Sequence, residues 1–144
     1  MMQNLVALVD PDDENSWRKT LRTAIAYARH TRAKLHVLCV VPDDILRTTA
    51  AVYLKPADFE RRSKDDAGQR LASLIVQHTS DDMQLEQVVR FGSVYKEALR
   101  FARDIEADLI IMGSHKRRVA DYLLGSNVEQ IIRHATASVW VVRE

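Results

Sequence analysis

Ala107-Asp108-Leu109-Ile110-Ile111-Met112-Gly113-Ser114-His115-Lys116-Arg117-Arg118, and further on Gly125-Ser126-Asn127-Val128, reads as a strand, a basic glycine loop and the start of a helix. Backbone N–H groups in the first turn of a helix have no partner inside it, and the helix dipole favours negative charge there, so a strand-loop-helix junction of this kind suits phosphate. Lys116, Arg117 and Arg118 add three adjacent cations to the loop. The chain has only four glycines, and two of them, Gly113 and Gly125, bound this loop.

Outward from that unit, the same alternation repeats. Leu5 to Val9, Leu35 to Val41, Leu85 to Arg90, Leu109 to Met112 and Ser138 to Val142 carry the aliphatic and β-branched density of buried strands. Trp17, Leu21, Ala24, Ile25 and Ala28 fall at offsets 0, 4, 7, 8 and 11, and Val94, Ala98, Phe101, Ala102 and Ile105 repeat those offsets, so each set forms one apolar helix stripe. A longer helical pattern runs through Phe59, Ala67, Leu71, Leu74 and Ile75, and a shorter one through Val128, Ile131 and Ile132. Strict alternation with right-handed crossovers predicts an α/β fold, an open doubly wound five-stranded parallel sheet with helices on both faces, over residues 1–144 as a single domain. A closed eight-stranded barrel needs roughly 250 residues and is excluded by length. Open sheets bind ligands beyond the carboxyl ends of their strands, near the point where strand order reverses. Those ends read Asp10-Pro11-Asp12, Val41-Pro42-Asp43, Phe91-Gly92-Ser93 and Met112-Gly113-Ser114. One long connection, Asp43 to Pro56, is too apolar (Ile45, Leu46, Val52, Tyr53, Leu54) for a solvated linker and reads as a lid, a dimer contact or plain packing.

Composition narrows the partners. The chain has 144 residues, 47% of them hydrophobic, enough for a core without a disulfide or metal staple. Its 21 basic and 20 acidic residues are interspersed, so no broad cationic face for nucleic acid is expected, and the local cluster in the glycine loop implies a small anionic partner. Cys39 lies alone in an apolar run, which reads as a buried small hydrophobe in a reducing compartment. MMQNLVALVD shows no basic start or cleavage site and reads as the first strand, and the apolar runs fall short of the ~20 residues of a membrane span. A cytoplasmic protein is the expectation. The five histidines and one cysteine show no zinc spacing, and Gly-x-Ser-x-Gly is absent.

The element order, Asp10 closing the first strand, the Gly92 turn and above all the last 32 residues, GSHKRRVADYLLGSNVEQIIRHATASVWVVRE, resemble the universal stress protein family over essentially the whole chain. The family's nucleotide-binding branch is similar in a glycine, two residues, a glycine, nine residues, then a glycine followed by serine or threonine. This chain departs from that pattern: Lys116 stands at the second glycine, and eight residues, Arg117 to Leu124, precede Gly125. The lost glycine removes one site of close backbone approach, while the loop cations offer charged donors in its place. The resemblance implies a Rossmann-like sheet, ATP or another adenine nucleotide at its carboxyl edge with any Mg²⁺ held by the phosphates, and a homodimer joined through the C-terminal strand. The implied site comprises Asp10, Val40, Gly92, Met112, Gly113, Ser114, His115, Lys116, Arg117, Gly125, Ser126 and Asn127.

Each residue also has a plainer reading. The Asp10 carboxylate either accepts a hydrogen bond from ribose or adenine, or is a turn or cap acid before Pro11. Val40 would offer main-chain groups to adenine, its side chain being core. Gly113 and Gly125 admit a phosphate to the backbone or serve loop geometry alone. Ser126 and Asn127 cap the helix at Val128, contact phosphate, or both. His115 has no nearby carboxylate and is no catalytic pair, and His134 reads as a C-terminal cap. Trp140 sits in a terminal strand apolar on both faces, which needs cover from its own chain or a second copy. The leading reading is an ATP-binding stress-response regulator acting on a protein partner, with at most slow hydrolysis or self-phosphorylation. The rival is a nucleotide-free interaction module whose basic side chains fill the pocket. An FMN carrier is disfavoured, because Asp10-Pro11-Asp12-Asp13-Glu14 is too acidic for a phosphate.

Overall fold

The computed structural model describes residues 1–43, 55–114 and 126–143. Strands and helices alternate through them as β1 (Asn4–Leu8), α1 (Glu14–Thr31), β2 (Lys34–Pro42), α2 (Pro56–His78), β3 (Leu85–Gly92), α3 (Val94–Asp104), β4 (Leu109–Gly113), α4 (Ser126–His134) and β5 (Ser138–Val142). The strands form one parallel sheet in the order β3-β2-β1-β4-β5. The chain builds outward from β1 to β3 on one side, then crosses back to place β4 against β1 on the other. Strand order therefore reverses between β1 and β4, the arrangement expected of a doubly wound sheet.

Because side chains alternate across a strand, each central strand feeds two cores. Leu5, Ala7 and Val9, with Leu35, Val37, Cys39, Leu109 and Ile111, pack under Leu21, Ala24, Ile25 and Ala28 of α1 and Ala67 and Leu71 of α2. Val6, Leu8, Leu38, Val40, Ile110 and Met112 pack on the opposite face under Ala98, Phe101 and Ala102 of α3 and Val128 and Ile131 of α4. Each large aliphatic side chain so buried contributes about 1.5–3 kcal/mol over its exposed state.

Local chemistry sets the helix ends. Asp13 is the N-cap of α1, its carboxylate accepting the Asn15 N–H at 3.1 Å. Pro56 opens α2, where its missing N–H costs no hydrogen bond. Arg32 ends α1 in a left-handed conformation at φ 57°, a position glycine usually fills. Two expectations shift. The third strand runs past Arg90 to Gly92, which pairs in register with Pro42, and Gly92 adopts φ 146°, open to glycine alone. Ile132, read as part of the buried stripe of the last helix, is 45% exposed, since Val128 and Ile131 already cover the sheet. The apolar connection from Asp43 to Pro56 falls almost wholly outside the described residues.

Candidate functional site at the carboxyl edge

Every helix follows a strand, so the helix N-termini gather at the carboxyl edge of the sheet. They differ in what they offer. The start of α1 is closed by its own carboxylates. Asp13 caps it and Glu14 occupies its first turn. That acidity disfavours an anion at the end of β1, as the sequence implied. At α3 the N-cap position is Ser93, whose side chain makes no capping bond. The Tyr95 N–H is instead taken by Asn127 Oδ1 of α4 at 3.2 Å. Asn127 was expected to cap its own helix or to meet phosphate. Its side-chain carbonyl oxygen serves the neighbouring helix, because α3 and α4 lie side by side on the same face with their N-termini at the same edge.

Asp10 leaves the end of β1 exposed to solvent. Its Oδ1 accepts the Asp12 N–H at 3.0 Å, its carbonyl accepts the Asp13 N–H at 3.1 Å, and its own N–H donates to Ser16 Oγ at 3.3 Å. The turn role is thus real, while the capping role belongs to Asp13. An aspartate bonding the backbone two residues on is the usual way such a turn is held. Val40 lies near the end of β2 with its side chain in the core beside α3.

Met112 is buried on the face covered by α3 and α4. Ser114 is buried too, and its N–H donates to the Val142 carbonyl at 3.1 Å, extending the β4–β5 pairing by one residue. Gly113 has a reason of its own to lack a side chain. A Cβ there would lie 3.2 Å from the Ser16 carbonyl oxygen and 3.2 Å from Thr20 Oγ1, both on α1. A Cβ at Gly92 would approach Glu97 Cγ to 3.1 Å. Ser126 opens α4 and is exposed. His115, Lys116, Arg117 and Gly125 lie outside the described residues.

Two groupings had no signature in the sequence. Arg70 of α2 reaches the loop after β1, with Nε 2.7 Å from Asp12 Oδ1 and Nη2 3.3 Å from Oδ2. His36 of β2 is buried beneath Phe101, its Nε2 3.1 Å from Asn4 Oδ1. Its Nδ1 stands 3.3 Å from Glu86 Oε2, close enough for an ion pair when the ring is protonated, and has no hydrogen-bond partner among the described residues. Burial first, then Lys34, holds the His36 pKa below the usual value against the opposing pull of Glu86. Cys39 is buried as expected, and desolvation, aided by the Asp10 and Asp12 carboxylates, pushes its thiol pKa up to about 12.

At the far edge, β5 pairs with β4 on one side. Trp140 is 41% exposed and meets Tyr27 of α1 edge to face at 5.5 Å.

A family model described as the Universal stress protein family matches residues 1–143. The chain belongs to the universal stress protein family. Universal stress protein G of Shigella flexneri is 34% identical over 109 residues, which cover 76% of this chain and 77% of that protein. Among solved structures, universal stress protein UspA from Lactobacillus plantarum superimposes with a TM-score of 0.74 at 23% identity, covering 99% of this chain and 98% of its own. A universal stress protein in complex with cAMP superimposes with a TM-score of 0.62 at 20% identity, covering 99% of this chain and 97% of its own. The Rossmann-like architecture of this universal stress protein is therefore that of its family. No helix among its described residues is long and apolar enough to cross a membrane.

Proposed function

We propose that this universal stress protein binds an adenine nucleotide, ATP in the leading reading, at the carboxyl edge between β1 and β4 and acts as a regulatory module. The observation that carries the proposal is the meeting at one strand-order reversal of Asp10, the β4 end at Gly113 and the start of α4. With Asp10 Oδ1 engaged in its turn, Oδ2 would serve the ribose and base end. The acidic start of α1 disfavours phosphate, so the phosphates go towards Ser126 and the cations Lys116 and Arg117. Val40, Gly92 and Met112 would shape the floor of the site, with Ser114, His115, Gly125 and Asn127 around the phosphate loop. Any Mg²⁺ would be held chiefly by the phosphates. That a relative is a complex with cAMP supports the ligand class.

The outer edge of β5, which pairs with no strand among the described residues, and the 41% exposed Trp140 support a homodimer paired strand to strand, through which a regulatory partner in the cytoplasm would sense the ligand state. One observation favours the rival, a nucleotide-free interaction module: the Ser114 N–H is already spent on Val142.

Calorimetric titration with Mg²⁺-ATP and with adenosine separates the two. Micromolar binding of ATP, weakened more than that of adenosine by Lys116→Ala with Arg117→Ala, supports the assignment. A nucleotide-free protein that binds neither ligand refutes it.

A further inference from the structure

We infer that Asp12 and Arg70 are a positioning pair for Asp10, holding the turn after β1 so that the other carboxylate oxygen of Asp10 meets the nucleoside; this rests on the nucleotide reading above. The Asp12 carboxylate takes both parallel N–H groups of the Arg70 fork, at 2.7 and 3.3 Å. The neighbouring Asp12 N–H donates to Asp10 Oδ1 at 3.0 Å. Arg70, Asp12 and Asp10 thus form one chain of contacts, from a helix to the end of the first strand. The helix end of that chain is anchored, since Ala67 and Leu71, near Arg70 on α2, are buried in the core.

Stability does not account for the pair. Its side chains are 48% and 61% exposed, and an ion pair so open to solvent adds little to folding. What a two-point arginine contact supplies is direction, because the planar fork fixes the carboxylate it meets. Direction matters here because Asp10, Asp12, Asp13 and Glu14 crowd like charges into one short turn. Without Arg70, the Asp12 carboxylate loses its counter-ion, swings away from its neighbours and takes the Asp10 turn with it. The sequence separation of Asp12 and Arg70 is 58 residues, so the link exists only in the fold.

The test titrates adenosine and ATP into wild type, Asp12→Ala, Arg70→Ala, the double variant and Arg70→Lys. The expected result is a loss of about five- to tenfold for adenosine and ATP alike in each single alanine variant, the size of one well-oriented hydrogen bond. The double variant falls no further, Arg70→Lys recovers part of the loss, and urea midpoints stay near wild type. Amide exchange of the Asp12 N–H, read by NMR without ligand, accelerates in Arg70→Ala. Single losses that add, a loss confined to ATP, or unchanged Asp12 exchange each overturn the inference. Wild type that binds adenosine while Arg70→Ala binds it equally well overturns the inference alone. Wild type that binds neither ligand overturns the nucleotide reading and this inference together.

Discussion

Gly113→Ala tests how the end of β4 is built. The added Cβ would lie 3.2 Å from two oxygens of α1, the Ser16 carbonyl and Thr20 Oγ1, closer than comfortable van der Waals contact. Neither yields easily. The Ser16 carbonyl is fixed in the first turn of α1, where the Ser16 and Trp17 N–H groups bond Asp13, and Thr20 is buried. Forcing a methyl into a packed contact costs about 1–3 kcal/mol. Removing a glycine from the unfolded chain returns about 0.4–1 kcal/mol. The net loss is about 0.5–2 kcal/mol, a fall in Tm of a few degrees for a domain of this size. Urea unfolding followed by circular dichroism should show a lower midpoint at constant slope. Thr20→Ala removes one of the two obstructing oxygens and should recover about half the loss, while Thr20→Ser keeps that oxygen and should recover none. Gly113→Ala at wild-type stability or above would refute the packing argument. The result bears on ligand mapping too: a Gly113 variant that stops binding nucleotide does not by itself place phosphate at Gly113, because α1 already excludes the side chain. The Lys116 and Arg117 variants are the cleaner probe of the phosphate end.

Three further outcomes are expected. His36 has a lowered pKa in the folded state, so the unfolded chain takes the proton first; this contribution to stability is present above the unfolded value near 6.5 and is lost as pH falls toward the folded one. Urea midpoints from pH 8 to 5 should therefore fall more steeply in wild type than in His36→Gln, and parallel curves would contradict the assignment. Cys39, buried with its thiol pKa at about 12, should resist iodoacetamide at pH 8 until the protein is unfolded, and rapid labelling of native protein would show the site to be open. Arg32→Gly relieves a left-handed residue at the end of α1, so the variant should gain about 0.5–1 kcal/mol in urea unfolding, and a loss would mean that the arginine side chain matters more than its backbone strain.

The fold was legible because both of its periods are written into the chain. Trp17 to Ala28 and Val94 to Ile105 repeat a helix stripe, and the buried faces of α1 and α3 follow those residues. The alternation of elements then fixed parallel pairing, since each crossover carries a helix. What periodicity does not carry is the limit of a buried face. Ile132 has the spacing of a core residue, yet α4 meets the sheet along so narrow a strip that Val128 and Ile131 fill it. Gly92 likewise looked like a turn, but its partner Pro42 prolongs the pairing, and its unusual φ falls inside the strand.

The candidate site is legible as one edge of the sheet and less so as a set of roles, and the reason is physical. Asp10, Gly113 and the start of α4 are brought to one edge by topology, which follows from the order of elements. The role of each side chain depends on which elements become neighbours across the sheet. Asn127 looks in sequence like a cap for its own helix and is drawn to α3, because two helix starts lie together where Ser93 leaves an N–H unclaimed. Gly113 looks like an opening for phosphate and is also an accommodation to α1. In each case one residue type satisfies two demands, a turn or helix start that sequence reveals and a long-range contact that it does not. Arg70 is the extreme: with no local demand at all, an exposed arginine on a surface helix looks unremarked in sequence, and only its two contacts with Asp12 tie it to the turn that carries Asp10.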